Sequence, residues 1–175
     1  MGPGFGRDAE TSGYRVNVPV VITEAGSDSD IETARDLFRA YAESLPFSLD
    51  FQNFAAELDG LPAPYNPPGG CLLIARQEGV AIGVIGLKPF APGIAEIKRL
   101  YVLPEARGTG LGRTLAERAI AEAQAKRYER VRLDTHRPSM AAAISLYRKL
   151  GFVEIPPYGP NPDGQFAFFE KRLSE

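Results

Sequence analysis

The residues best suited to binding a charged ligand follow one another between positions 107 and 114. Arginine stands at Arg107 and Arg113, and the segment between them is rich in glycine. Glycine lets the backbone turn its amide groups toward an anion, and a helix N-terminus adds a partial positive charge. The segment therefore predicts a site for phosphate oxygens. Its residues are Arg107, Gly108, Thr109, Gly110, Leu111, Gly112, Arg113 and Thr114.

The strand that leads into this glycine-rich loop has a break in its pattern. Its apolar residues are Ile97, Leu100 and Val102, whereas strict alternation places the second of them at position 99, which is Arg99. A shift of one residue is what a β-bulge produces. We therefore expect a bulge, with backbone N–H and C=O groups that the neighbouring strand does not use.

Composition and charge favour a globular domain. The chain has 175 residues, 44% of them hydrophobic, and a net charge of −2, which suits one domain with a sizeable core. This charge gives no overall attraction to nucleic acid or to an anionic membrane. One histidine and one cysteine are too few for a thiolate or histidine metal site. We expect a cytoplasmic protein without a metal, a nucleic-acid partner or a membrane partner.

Hydrophobic periodicity divides the chain into elements. Residues 1–18 predict a disordered arm, and residues 19–175 predict a single domain. The predicted elements are a buried strand Pro19–Glu24, helix Asp28–Ser44, a short helix around Phe54, strands Cys71–Arg76, Val80–Leu87 and Ala95–Val102, a helix from Leu111, strand Val131–Thr135, helix Met140–Leu150 capped by Ser139, and strands Phe152–Ile155 and Gln165–Arg172. The strands before the loop predict an antiparallel meander, and the strand after the long helix returns parallel.

The sequence resembles the GNAT superfamily of acetyl-CoA-dependent N-acetyltransferases. Their phosphate loop has Arg or Gln, two residues, Gly, one residue, and Gly or Ala, which Arg107, Gly110 and Gly112 match. Leu-Tyr-Val ends the preceding strand at positions 100–102, and Leu-Tyr followed by Gly-Phe occurs at 146–147 and 151–152, as in the family. One departure is Met140, where many members have an asparagine that binds pantetheine.

The resemblance implies an α+β fold, a three-layer arrangement of a mixed, mostly antiparallel sheet of about six to seven strands between helices. A V-shaped opening between the fourth and fifth strands would hold acetyl-CoA as cosubstrate. The loop would bind its pyrophosphate, and free backbone groups of the bulged strand would pair with pantetheine. The residues assigned to the cosubstrate are Leu100, Tyr101, Val102, Arg107, Gly108, Thr109, Gly110, Leu111, Gly112, Arg113, Thr114, Ala143 and Tyr147.

Two residues are predicted to act in catalysis. Tyr147 is the candidate general acid for the departing thiolate, since a phenol is protonated at neutral pH; the alternative is a core tyrosine. Glu96 is the candidate base, directly or through water, and the alternative is a strand glutamate paired with Lys98. His136 is a further candidate base, although its position after a strand favours a solvated loop side chain. Cys71 is expected to be a core residue.

The predicted function is acetyl transfer from acetyl-CoA to a primary amine of a small molecule or peptide by direct attack. Two alternatives remain open. One is a non-catalytic acyl-CoA-binding module. The other is a dinucleotide enzyme, because Asp134 follows the glycines by about 20 residues, although the third glycine of that fingerprint is replaced by Arg113. A homodimer is compatible with the resemblance.

Overall fold

The computed structural model describes residues 18–174, so the predicted arm lies outside the described residues except for Val18. The strands are β1 (Val20–Glu24), β2 (Cys71–Gln77), β3 (Val80–Ala91), β4 (Ile94–Val102), β5 (Arg130–His136), β6 (Val153–Ile155) and β7 (Phe166–Arg172). The α-helices are α1 (Asp28–Ser44), α2 (Phe54–Gly60), α3 (Leu111–Ala125) and α4 (Ala141–Lys149). Short 3₁₀ helices cover Asp50–Gln52, Pro104–Ala106 and Pro162–Gly164.

The strands form one seven-stranded sheet in the order β1-β2-β3-β4-β5-β7-β6. Strands β4 and β5 pair parallel, and the other neighbours pair antiparallel. The predicted α+β class and its mixed, mostly antiparallel sheet are confirmed. Because β2, β3 and β4 follow one another as hairpins, the sheet differs from the alternating strand–helix order of a dinucleotide-binding fold.

Two hydrophobic cores lie on the two faces of the sheet. Leu73 of β2 packs in one core with Leu115 and Ala119 of α3. The adjacent Leu72 packs in the other core with Phe38 of α1, because successive strand residues point to opposite faces. The α1 and α2 helices therefore cover one face of the sheet, and α3 covers the other.

Helix α1 begins and ends where the sequence predicts. The Ser27 side chain accepts a hydrogen bond from the backbone of Asp30, whose carboxylate accepts one in return from the backbone of Ser27. This capping box satisfies backbone donors that have no partner within the helix. The hydrogen bonds from the backbone N–H groups of Gly26 and Ser27 lower the pKa of Asp30.

Three local predictions were wrong. Strand β1 lies at an edge of the sheet with Val20 and Val21 exposed, whereas its apolar sequence predicted a buried strand. Strand β3 continues to Ala91 through Pro89, whereas the sequence predicted that it ends at Leu87. The register with β4 is irregular between Pro89 and Ala91, and a bulge tolerates proline. The Ser139 hydroxyl does not cap α4, whose N-cap residue is Met140 without a side-chain cap.

We expect Gly86→Ala to lower the free energy of unfolding by about 1–3 kcal/mol because it overpacks the core. A Cβ at position 86 would lie 2.6 Å from Cε1 of Tyr65, and Tyr65 is fully buried. Urea denaturation measures the change. Gly60→Ala is the control, since a Cβ there meets nothing within 4 Å. Equal stability of the two variants would contradict the close packing at Gly86.

Candidate active site

The site begins where the two parallel strands separate. Strands β4 and β5 pair at Ile94–Arg130, Ala95–Val131 and Glu96–Arg132 only. Beyond these pairs, β4 continues beside β3 and β5 continues beside β7. The separation confirms the predicted opening between the fourth and fifth strands, and a cavity of about 410 Å³ lies in it.

The predicted bulge lies in the wall of this cavity. Tyr101 pairs with Val84 and Lys98 pairs with Gly86, so Arg99 and Leu100 together oppose the single residue Ile85. A bulge leaves its extra residue without a ladder partner and bends the strand. Both Arg99 and Leu100 line the cavity, so unpaired backbone of β4 borders the space between the strands.

Val102 also directs its backbone toward the opening. The next residue, Leu103, donates its N–H to the carbonyl of Ile82 in the β3 region at 2.9 Å. Neighbouring residues of an antiparallel ladder direct their backbone groups alternately toward and away from the partner strand, so Val102 faces away from β3. Its carbonyl already accepts a hydrogen bond from Nε of Arg107 at 3.1 Å, which leaves its N–H for a ligand.

The glycine-rich loop forms the N-terminal end of α3. Gly108 and Gly110 have positive φ values of 77° and 84°, which side-chain-bearing residues adopt only with strain. Gly110 is the N-cap residue of α3, and no side chain caps this end. A Cβ added at either glycine would meet nothing within 4 Å. The loop thus presents open, uncapped backbone amides at a helix N-terminus, which fits a phosphate group.

The two arginines of the loop differ in their contacts. Arg107 lines the cavity, and its guanidinium carbon lies 5.8 Å from the centre of the Tyr101 ring. Arg113 points to solvent and pairs with Glu117 at 2.7 Å. Exposed pairs of this kind are weak, so Arg113 can exchange its partner for a phosphate at little cost.

Tyr147 of α4 borders the cavity from the opposite wall, together with Ala143. Its side chain is buried, and its ring packs edge-on against Phe152 at 5.6 Å between ring centres. Burial, with smaller contributions from Tyr41 and Asp134, raises the pKa of Tyr147 well above its ordinary value. The phenol therefore keeps its proton throughout the physiological pH range, which is a requirement for a general acid.

Five polar side chains, Glu57, Gln52, Arg99, Lys98 and Asp134, form a cross-cleft network on the face covered by α1 and α2. Nζ of Lys98 lies 3.2 Å from Oδ1 of Asp134, beyond the last backbone pair of β4 and β5. Gln52 donates to Oδ2 of Asp134 at 3.3 Å and accepts from Nη1 of Arg99 at 2.8 Å. Arg99 also pairs with Glu57 of α2. Side chains therefore connect the strands where backbone pairing has ended.

Glu96 lies outside the lining of this cavity. Its side chain is 5% exposed and lies 3.4 Å from Nζ of Lys88, and it accepts a hydrogen bond from the Tyr158 hydroxyl at 2.7 Å. Burial and the Glu96 carboxylate raise the pKa of Tyr158 well above its ordinary value, so Tyr158 is the proton donor of this bond. The predicted pairing partner Lys98 contacts Asp134 instead.

Comparison with known proteins identifies the family. Residues 32–152 match the model of the acetyltransferase (GNAT) family. An N-acetyltransferase of Schizosaccharomyces pombe is 35% identical over 148 residues, which cover 83% of this chain and 90% of that protein. The chain belongs to the GNAT acetyltransferase family. The predicted resemblance and the assignment to the acyltransferase enzymes are thereby confirmed.

Solved GNAT structures share the fold. A GNAT acetyltransferase of Staphylococcus aureus superposes with a TM-score of 0.74 and 21% identity, covering 89% of this chain and all (100%) of that chain. An acetyltransferase of Salmonella typhimurium solved with acetyl-CoA has a TM-score of 0.66 and 21% identity, covering 90% of this chain and 95% of that one. At this identity the likeness establishes the fold alone.

His136, which borders the GNAT opening, differs from the expectation. His136 is buried at the end of β5 rather than solvated in a loop. Its ring nitrogens contact the Ser139 hydroxyl at 2.7 Å and Oε1 of Gln165 at 3.1 Å. The sulfur of Met140 accepts hydrogen bonds from the Thr135 hydroxyl and the His136 N–H at 3.2 and 3.4 Å. Met140 thus contacts the last two residues of β5.

Sequence reasoning missed several residues that line the GNAT cavity, among them Tyr41, Gln52, Lys98, Arg99 and Asp134. Tyr41 of α1 lines the cavity, and burial raises the pKa of Tyr41 to about 12. In the sequence, Tyr41 lies on the apolar stripe of α1, which indicated only a core residue. Gln52 also lines the cavity and carried no signal, since it lies in a short 3₁₀ turn. The break in alternation at Arg99 is a sequence signal that marks one residue of the cross-cleft network.

Two findings concern clusters of metal-ligating side chains and membrane-spanning helices in the described part of the chain. Among residues 18–174, no group of three or more His, Cys, Asp or Glu side chains is arranged to hold a metal ion. No helix within the same residues has the length and apolar character needed to cross a bilayer.

Cys71 is expected to be unreactive in the folded protein. Burial raises the pKa of its thiol to about 12, so at pH 8 only about one molecule in 10⁴ carries the reactive thiolate. A disulfide reagent that releases a coloured thiol should label Cys71 slowly at pH 8 and rapidly after denaturation. Rapid labelling of the folded chain would contradict the burial of Cys71.

Proposed function

We propose that this GNAT chain transfers an acetyl group from acetyl-CoA to a primary amine of a small molecule or peptide by direct attack. The observation that carries the proposal is the separation of β4 from β5, with Arg107 of the glycine-rich loop and polar side chains of both strands in the lining of the cavity. Thioester aminolysis needs a bound acyl carrier, a polarised carbonyl, a deprotonated amine and a protonated leaving group.

The donor side of the cavity supplies the first two requirements. The amides at the N-terminus of α3 and the charges of Arg107 and Arg113 would bind the pyrophosphate. The unpaired backbone of β4 would pair with pantetheine as an added strand. A backbone N–H aimed at the thioester oxygen stabilises developing negative charge, typically by about 3–4 kcal/mol.

Tyr147 would supply the proton for the leaving group. When the carbon–sulfur bond breaks, the thiolate takes a proton, and Tyr147 borders the cavity with its proton in place. Because its pKa is raised above about 10, Tyr147 stays protonated at high pH. We therefore expect no alkaline loss of activity from this residue below about pH 10.

The amine proton has two candidate acceptors. A primary amine with a pKa near about 10 is almost wholly protonated at pH 7. Asp134 lines the cavity beside Lys98, and this position favours Asp134 as the proton acceptor. Glu96, predicted from the sequence, stays a candidate that would act through water after Tyr158 moves, since the Tyr158 hydroxyl covers it.

Acetyl-CoA is expected to raise the unfolding temperature of the protein, whereas NADH is not. Gly110→Asp should weaken acetyl-CoA binding by about 10-fold or more, because it adds a negative charge and a strained positive φ where phosphate would lie. Gly79→Asp is the matched control, since Gly79 also has a positive φ and lies in the β2–β3 turn. Stabilisation by NADH alone would overturn the proposal.

An amine panel with detection of the released CoA thiol tests transfer and identifies the acceptor. We expect Tyr147→Phe and Asp134→Asn each to lower kcat by about 100-fold or more, as loss of a general acid or base does. Glu96→Gln is measured beside them, and a larger loss in Glu96→Gln than in Asp134→Asn would favour Glu96 as the base. If the unmodified protein binds acetyl-CoA yet acetylates no amine, a binding module is the better description.

A further inference from the structure

Arg99 has a backbone conformation that a side-chain-bearing residue does not favour. Its φ of 63° lies in the left-handed region, which is a strained conformation for residues with a Cβ but not for glycine. It occupies the β4 bulge, one residue before Leu100, and both residues line the cavity. A contact from outside the strand is therefore needed to favour this conformation.

The guanidinium group of Arg99 makes that contact. Nε and Nη2 donate to the two carboxylate oxygens of Glu57 at 2.9 and 3.0 Å, and Nη1 donates to Gln52 at 2.8 Å. The guanidinium carbon also lies 5.0 Å from the centre of the Phe54 ring. A bidentate pair fixes direction as well as distance, so α2 and the turn before it hold the bulge from above the sheet.

Stability alone is a weak explanation for this buried pair. Arg99 is 5% exposed, and removing two charges from water offsets most of their attraction. Burial by itself lowers the pKa of Arg99, but the hydrogen bonds and charge of Glu57 outweigh this effect and raise the pKa. The guanidinium thus stays charged and bound to Glu57. The Arg99–Glu57 pair is better explained by the selection of one backbone geometry at the bulge.

We propose that Arg99 is a positioning residue, which through Glu57 holds the β4 bulge so that its unpaired backbone N–H faces the thioester carbonyl of acetyl-CoA. The inference rests on the proposed function, because it needs acetyl-CoA in the cavity. Arg99 touches no reacting atom. It acts by aligning the strand backbone that would bind the thioester carbonyl and the pantetheine arm.

The carbonyl carbon of bound [1-¹³C]acetyl-CoA provides a direct test by NMR. A hydrogen bond to the carbonyl oxygen moves its ¹³C resonance downfield from that of free acetyl-CoA. We expect this shift with the unmodified protein and its partial or complete loss in Arg99→Met and Glu57→Gln. The affinity for CoA, which has no acetyl group, should change less than about 3-fold, because its pyrophosphate is held by the loop.

Arg99→Gly separates the side chain from the backbone. Glycine accepts the positive φ without strain but cannot bind Glu57, so the proposal predicts loss of the shift in this variant as well. Arg39→Gln is the control, since Arg39 is exposed on α1 and pairs with Asp36. With the amine found in the panel, kcat should fall by about 10-fold or more in Arg99→Gly and stay unchanged in Arg39→Gln.

The outcomes separate this inference from the proposed function. A normal ¹³C shift and normal kcat in Arg99→Gly would overturn the positioning role, because the bulge would then hold its own geometry. Acetyl-CoA binding without any downfield shift in the unmodified protein would also overturn it and leave the proposed function intact. Failure of the unmodified protein to bind acetyl-CoA would remove the proposed function itself. Thermal unfolding shows whether each variant folds. If Arg99→Met does not fold, Glu57→Gln is the test variant, because glutamine keeps the size of glutamate and a hydrogen-bond acceptor.

Discussion

The end of backbone pairing between β4 and β5 is the constraint on which the rest of the site depends. The two strands share three residue pairs, the last at Glu96–Arg132. A continuous parallel ladder would fill the space between them with hydrogen bonds and leave no cavity. The β4 bulge follows the last pair within the same strand, and a bulge bends and twists the strand that contains it. Strand β5 keeps its pairing with β7 to His136, so β4 is the strand whose distortion opens the sheet.

Side chains connect the two strands where backbone pairing stops. The cross-cleft network joins Lys98 to Asp134 and continues through Gln52 and Arg99 to Glu57. Because these charges are largely buried, each needs its partner, and loss of one would leave another unpaired at substantial cost. The network thereby keeps polar side chains on one side of the opening, whereas unpaired backbone of β4 borders it as well. Under the proposed function, the backbone would meet the thioester and the polar side chains would meet the amine.

Much of the donor side could be predicted from the sequence. Glycine at positions 108 and 110 indicates a turn with positive φ, and the break in alternation at Arg99 indicates a bulge; the structure has both. These signals are local, since each follows from the conformational preferences of a few consecutive residues. The acceptor side could not be predicted in the same way. Tyr41 and Gln52 are far from Asp134 in the sequence, and their types alone do not indicate a cavity.

The sequence by itself determined the order of the elements, the glycine-rich loop, the bulge and the family, because periodicity, turn residues and motif spacing act over short segments. Only the tertiary structure decided which carboxylate borders the cavity. Glu96 and Asp134 both lie on strands beside the opening, yet Tyr158 covers Glu96 whereas Asp134 lines the cavity. The physical reason is that the β6–β7 connection brings Tyr158 to Glu96, and such a contact between segments 62 residues apart depends on how the whole chain packs.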